Sequence, residues 1–168
     1  MVDWLTRPET AADVDAIRDI TASAFDTTAE ADLVDALRSD PAWIDGLSLV
    51  AATPSGRVIG HALLTRCHVD EVPALCLAPC SVLPEHQRTG AGTAVINAAL
   101  AAARSRGEAF VIVLGHPGYY PRFGFRRASE AGIRLSIEVP DEALMALTLD
   151  PARPLPSGSV RYAASFGI

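Results

Sequence analysis

Two rhythms of apolar and polar positions alternate along this chain, and each change of rhythm marks an element boundary. Val14, Ile17, Ile20 and Ala24 recur at helical spacing behind Thr10 and Asp13, a near capping box, which predicts a first helix over Ala11 to Phe25. Thr27 with Glu30 repeats the start signal, Leu33, Val34 and Leu37 supply an apolar stripe, and Pro41 closes a second helix. Asp3 to Thr6, ahead of both, reads as a short edge strand. Leu47 to Ala52 is apolar and uncharged, and Arg57 to Val69 resumes an extended pattern after Thr53-Pro54-Ser55-Gly56, whose proline and glycine suit a type I turn, so the pair predicts a hairpin. Asp70-Glu71-Val72-Pro73 predicts a second turn that delivers the chain to an apolar strand, Leu75 to Leu83.

Behind that strand stands Gln87-Arg88-Thr89-Gly90-Ala91-Gly92. From Thr93 to Arg106 follows an alanine-rich helix, with Val95, Ile96, Ala99, Leu100 and Ala103 on one face and Gly107 as its cap. The glycines therefore sit at a strand-to-helix junction. The first turn of a helix has N–H groups without partners, and Gly90 and Gly92 carry no side chain to keep an anion away, which makes a phosphate cradle. A Gly-x-Gly pair also marks a tight turn or a close helix–strand contact, and on these residues alone both readings stand. A Walker loop needs Gly-Lys-Ser/Thr and the chain has no lysine; the dinucleotide fingerprint needs a third glycine where Val95 stands. Pro79 interrupts the strand ahead of the loop and, with no N–H to give to a ladder, belongs at a bulge or an unpaired position.

Phe110 to Leu114 predicts a buried strand, reached through a helix and so expected to run parallel to the previous strand by a right-handed crossover. Gly115-His116-Pro117-Gly118 breaks it, Tyr119 to Phe123 predicts a short helix, and Gly124-Phe125 turns into the next strand. Ile133 to Val139 and Leu144 to Leu149 predict two more strands around Pro140-Asp141-Glu142-Ala143, Pro151 to Gly158 reads as loop, and Val160 to Phe166 as a last strand or docked tail.

Pro84-Glu85-His86-Gln87-Arg88-Thr89-Gly90-Ala91-Gly92 resembles the Gln/Arg-x-x-Gly-x-Gly/Ala motif of the GNAT superfamily of acyl-CoA-dependent N-acetyltransferases. Upstream, Cys80-Ser81-Val82-Leu83-Pro84 is similar to the end of that family's central strand. Downstream, Tyr119-Tyr120-Pro121-Arg122-Phe123-Gly124-Phe125 is similar to its Tyr-x-x-x-Gly-Phe segment, and the three stand in family order and spacing. Val58 to Leu63 and Glu138 to Ala143 extend the likeness toward a predicted-acetyltransferase branch that lends no single substrate. The resemblance implies one N-acetyltransferase domain over residues 1–168 with an α/β (α+β) fold, its mixed, twisted sheet splayed at the centre and flanked by helices. It implies acetyl-CoA as co-substrate and acetyl transfer to a primary amine by direct attack in a ternary complex. It also gives Pro79 a purpose, a bulge that frees strand N–H and C=O groups for the pantetheine arm.

On that resemblance the pyrophosphate falls to Gln87, Arg88, Thr89, Gly90, Ala91, Gly92 and Thr93, the loop amides and helix N-terminus facing the anion. Ser81 and Val82 are the pantetheine-pairing positions, with the Val82 N–H polarising the thioester carbonyl; losing one such donor costs ~10²–10³ in rate. Tyr120, four residues before Gly124, stands where the family carries its general acid. A phenol with an ordinary pKa of ~10 stays protonated at neutral pH and can protonate a thiolate whose conjugate acid lies near ~8.5. Tyr119 next to it shares that chemistry, and the choice between them stays open. The same is true of a base for the incoming ammonium, for which Glu30, Asp70, Glu71, His61, His68 and His116 are all candidates; His116, after the fifth strand, falls on the cofactor side. Two rivals differ in kind: a non-catalytic acyl-CoA-binding sensor or regulatory module, and an interaction domain whose glycine turn is structural.

At 168 residues the chain fits one domain able to bury roughly 70% of its unfolded surface. A net charge of -6 argues against a nucleic-acid partner and requires positive charge for an anionic cofactor to be gathered locally. Arg88 and Arg122 are placed for that, whereas Arg126 and Arg127 read as a solvated face. The acidic balance also suits a cationic acceptor, with small-molecule amines and peptide or protein amines both open. Cys67, Cys76 and Cys80, odd in number and without Cys-x-x-Cys spacing, suggest neither disulfides nor a metal site and read as buried thiols of a reducing cytoplasm. Cys80 as an acyl-carrying nucleophile ranks behind Cys80 as packing. Met1 to Arg7 has no apolar leader and no window approaches ~18 uncharged apolar residues, so neither secretion nor membrane contact is expected. Trp4 and Trp43 belong to the core or to an interface such as a homodimer's.

Overall fold

The computed structural model describes residues 3–168; the part of the leader expectation that falls on Met1 and Val2 lies outside them. Strand β1 (Leu5–Pro8) leads through a 3-10 turn, Ala11–Asp13, into helix α1 (Val14–Phe25). The start signal works mainly through Asp13, whose carboxylate accepts the Thr10 N–H at 2.7 Å and two bonds from Arg7 at 2.7 and 3.0 Å. Helix α2 (Ala29–Arg38) follows. The apolar stripes of both helices, Ile17, Ile20, Val34 and Leu37, are buried.

Strands β2 (Ser48–Ala52), β3 (Val58–Val69) and β4 (Val72–Val82) form an antiparallel meander. The β3–β4 turn takes two residues where the sequence suggests four: Asp70 adopts a left-handed φ of 49°, which aspartate tolerates, so Val72 and Pro73 already stand in the ladder. Helix α3 (Ala91–Ser105) carries the chain to β5 (Phe110–Leu114), which lies parallel to β4 as a helical connection requires. Beyond it come β6 (Arg126–Arg127), β7 (Ile133–Arg134), β8 (Leu144–Thr148) and β9 (Gly158–Arg161). The main sheet runs β1-β2-β3-β4-β5-β8-β6, and β7 and β9 pair with each other beside the β3–β4 turn. Period-two alternation sends Leu49, Ala51 and Leu64 to the face covered by α3, and Val50 and Leu63 to the face covered by α1 and α2.

The strand expected over Ile133 to Val139 is only two residues long. Ile133 is buried and Ile137 is 43% exposed, and of the alternating segment only Ile133 and Arg134 have a partner, in β9. At the C-terminus, strand and docked tail both occur, as β9 and a 3-10 turn at Ala164–Phe166.

One feature of the sheet positions everything that follows. β4 pairs with β3 nearly throughout, but with β5 only at Leu75–Val111 and Cys76–Ile112. From Leu77 onward the two parallel strands part. There Ala78 and Pro79 face the single residue Leu63 as a bulge, so the proline falls where a ladder bond is already missing.

Candidate active site

Alternation along an antiparallel ladder decides which way each amide points. Leu83 donates its N–H to the Ile59 carbonyl at 2.9 Å, so the amides of Leu83 and Ser81 face β3, and those of Val82 and Cys80 face the edge that β5 has left. Val82 thus turns its N–H into the gap. Its carbonyl receives the Gln87 side-chain amide at 3.1 Å, which ties the loop to the strand end. Ser81 departs from expectation: its backbone belongs to the β3 ladder opposite His61 and its hydroxyl lies 3.4 Å from Thr21 Oγ1 in α1, so the free backbone edge passes to Cys80.

The loop after β4 reverses twice, Arg88 at φ 61° and Gly90 at φ 88°, both left-handed. A Cβ on Gly90 would meet nothing within 4 Å, so glycine is needed there for its backbone and not for space. Helix α3 starts at Ala91, two residues before its apolar face becomes evident, which puts Gly90 at the N-cap and Gly92 and Thr93 in the first turn. Among the described residues, the N–H groups from Arg88 to Thr93 meet no acceptor, the donor set an anion needs at a helix N-terminus. The outer side of the loop is braced by Trp4, whose indole N–H donates to the Thr89 carbonyl at 3.2 Å, and by the Thr89 hydroxyl on the His86 carbonyl. Arg88 and Arg122 flank a hollow of about 490 Å³ over these amides. Arg122 is held in place, its Nε on the Tyr119 carbonyl at 2.9 Å and its guanidinium 4.2 Å above the Tyr119 ring. Arg126 and Arg127 stand away from it, exposed, near Glu130 and Asp141 at 3.6 and 3.5 Å.

Next to the hollow a cavity of about 560 Å³ occupies the gap between the parted strands. Its lining includes Gln87, Gly92 and Val95 on the α3 side and Phe25, Glu30 and Leu33 of the α1–α2 region on the other, so it spans the sheet. The two tyrosines have separate places here. The Tyr119 hydroxyl is 3.1 Å from Thr93 Oγ1, turned to the first turn of α3. The Tyr120 ring lies so close to Gly115 that a Cβ there would sit 2.5 Å from Cε2, and its hydroxyl adjoins the Cys80 thiol on the open edge of β4. Burial first, then Cys80, pushes the Tyr120 phenol above its usual range, which holds it protonated at neutral pH. Burial also pushes the Cys80 thiol up to about 12, so no thiolate forms there at neutral pH.

Of the candidate bases, Glu30 and His116 line the cavity, and Glu30 accepts a bond from Thr27 Oγ1 at 3.0 Å. His61 is fully buried on β3, 2.7 Å from Ser48 Oγ; burial, then the Arg38 guanidinium, holds its pKa down to about 3 and keeps it neutral. Asp70 and Glu71 form the β3–β4 turn and His68 lies next to it, the length of β4 away from Val82, roughly 30 Å. Sequence reasoning did not single out Gly115, Phe25, Leu33 or Leu114 for the site. The available signal was positional: a glycine ending an uncharged strand, and large apolar residues at the end of α1 and inside α2.

Fold and site together define an α/β acyltransferase domain with a cleft through a parted sheet. The model of the acetyltransferase (GNAT) family matches residues 14–125, and the chain belongs to that family. It is 37% identical over 136 residues to the uncharacterized N-acetyltransferase YjhQ of Escherichia coli (strain K12), covering 78% of this chain and 75% of that one. It is 31% identical over 132 residues to the uncharacterized N-acetyltransferase YhbS of the same strain, covering 77% and 78%. Among solved structures it resembles YhbS from Escherichia coli in complex with CoA, at TM-score 0.91 and 27% identity over 100% of this chain and 94% of that chain. It also resembles a GNAT family acetyltransferase from Brucella melitensis in complex with acetyl-CoA, at TM-score 0.80 and 31% identity over 99% of each. Among the described residues no helix is long and apolar enough to cross a membrane.

Proposed function

We propose that this chain transfers an acetyl group from acetyl-CoA to a primary amine by direct attack within a ternary complex. The observation that carries this reading is the adjacency of the unpaired Val82 N–H and the protonated Tyr120 hydroxyl, in one cavity through the sheet, to the neighbouring hollow over a loop of six amides without acceptors. Those amides, with Arg88 and Arg122, suit the pyrophosphate, and the open edge at Cys80 and Val82 suits the amide-bearing arm.

The amine nitrogen bonds to the thioester carbonyl carbon while the Val82 N–H takes up the charge developing on the carbonyl oxygen. The C–S bond then breaks, the sulfur receives the Tyr120 proton, and the proton shed by the amine restores the phenol through solvent. The apolar wall that raises the phenol also destabilises a thiolate formed beside it, so donor and acceptor remain matched. A Cys80 acyl-enzyme is disfavoured by the protonated thiol.

Calorimetry with acetyl-CoA and CoA release across a panel of amines test the proposal. The expected results are one bound acetyl-CoA per chain, and initial-rate lines at several amine concentrations that intersect. Parallel lines would point to an acyl-enzyme, and binding without turnover to a sensor.

A further inference from the structure

The far mouth of the cavity has a chemistry of its own. Phe25 at the end of α1 is 39% exposed and Leu114 at the end of β5 is 43% exposed; both line the cavity together with Leu33. Large apolar side chains left open around a cavity imply that something apolar covers them. Between them stands one carboxylate, Glu30, in the first turn of α2, whose hydrogen bond is to the Thr27 hydroxyl and which has no arginine partner among the described residues. The neighbouring acids on α2, Asp32 and Asp35, are both taken by Arg18. No arginine lines the cavity, and the chain has no lysine.

Resting on the acetyl-transfer reading above, we infer that the acceptor is an apolar primary monoamine, an alkyl or aryl-alkyl amine without a carboxylate. Its ammonium is held by Glu30 and its hydrocarbon body covers Phe25, Leu33 and Leu114. The wall selects by what it lacks. An amino acid would bring a carboxylate to a cavity lined by the Glu30 carboxylate, with neither arginine nor lysine and only the His116 imidazole to receive it. A polyamine or aminoglycoside would bring further charges and hydroxyls to apolar side chains that cannot pair with them. A peptide N-terminus would bring backbone amides to the same apolar wall. The ammonium first gives one proton to solvent, the freed nitrogen forms its bond to the acetyl carbon, the C–S bond breaks as Tyr120 protonates the sulfur, and the second proton shed by the nitrogen restores the phenol through solvent.

Matched pairs test this on the full chain with acetyl-CoA, following CoA release. 2-Phenylethylamine against phenylalanine isolates the carboxylate, hexylamine against 1,6-diaminohexane isolates the second charge, and spermidine and a dipeptide complete the panel. The expected result is a kcat/KM at least tenfold higher for the apolar monoamine in each pair. Glu30→Gln is expected to raise the KM for hexylamine about tenfold with kcat and the KM for acetyl-CoA retained. A preference for phenylalanine, the diamine, spermidine or the dipeptide overturns the inference and leaves acetyl transfer standing. A Glu30→Gln enzyme that loses kcat and keeps KM overturns the role given to Glu30. No CoA release with any amine removes both readings together.

Discussion

The two halves of β4 are built from similar residues and have different neighbours. From Val72 to Cys76 the strand keeps β3 on one edge and meets β5 on the other at Leu75 and Cys76, both buried in these cross-strand pairs. From Leu77 to Val82 it keeps β3 and loses β5, and a cavity of about 560 Å³ takes the place of the missing strand. Pairing on both edges makes the first half a structural element, whereas a missing partner leaves the second with directed amides and no internal use for them. Val82 and Cys80 on that edge are half-exposed to the cavity, so its amides are available to solvent or to a ligand and not to another strand.

The largest effect expected at the open half is chemical. Tyr120→Phe should lower kcat by about 10²-fold or more, equivalent to ~3 kcal/mol of barrier, with the acetyl-CoA dissociation constant nearly unchanged. Steady-state kinetics beside calorimetry reads both, and an undiminished kcat would move the acid role away from Tyr120. Leucine truncation compares the halves directly. Leu75→Ala, at 0% exposure in the closed half, should cost ~3–5 kcal/mol of unfolding free energy, and Leu77→Ala, already bordering a void, nearer ~2 kcal/mol. Equal costs in denaturant titrations would mean that the opening does not loosen its own wall.

A third prediction concerns pH and the buried side of β3. Folding lowers the His61 pKa from 6.5 to about 3. Above about 6.5 the imidazole is neutral folded and unfolded and contributes no pH dependence; below it the unfolded chain takes a proton that the folded chain refuses. Stability should therefore be flat from pH 8 to 6.5 and then fall by ~1.4 kcal/mol per unit, about 3 kcal/mol by pH 4.5. Asp13, lowered to about 2 mainly by its bond from Arg7, loses stability only as pH falls below its ordinary 3.8, so the window from 6.5 to 4.5 isolates the histidine. Chemical unfolding at stepped pH should show this slope, and His61→Gln should flatten it. The smallest effect is at the loop, where Gly90→Ala forces a side chain to φ 88° and should cost about 1 kcal/mol, visible as a lowered melting temperature.

What could be read in advance divides along the same line. β2, β3, β5 and the three helices lie within a few residues of their expected places because each carries its own periodicity and stop signals, from the Leu33–Val34–Leu37 stripe to Gly107. The glycine loop could be read as well, since a strand, a reversal and a helix in that order leave open amides whatever the rest of the fold does. Failures came where neighbours decide. Ile133 to Val139 alternates like a strand, but ladder edges are a property of the assembled sheet. Ser81 and Cys80 differ by one residue, and only the register against β3, with the Pro79 bulge counted, shows which of them faces the gap. The proposed acceptor wall joins Phe25, Glu30 and Leu114 from three distant segments, and no local spacing announces it.

Trp4 holds the Thr89 carbonyl with its indole N–H and meets the His86 ring edge-on at 5.6 Å, while Trp43 sits under the Arg38 guanidinium on the other side of the sheet. The molecule thus carries one intrinsic fluorophore bonded to the glycine loop and a second remote from it. Binding of the proposed diphosphate at the loop should therefore change the emission of the native chain without a label.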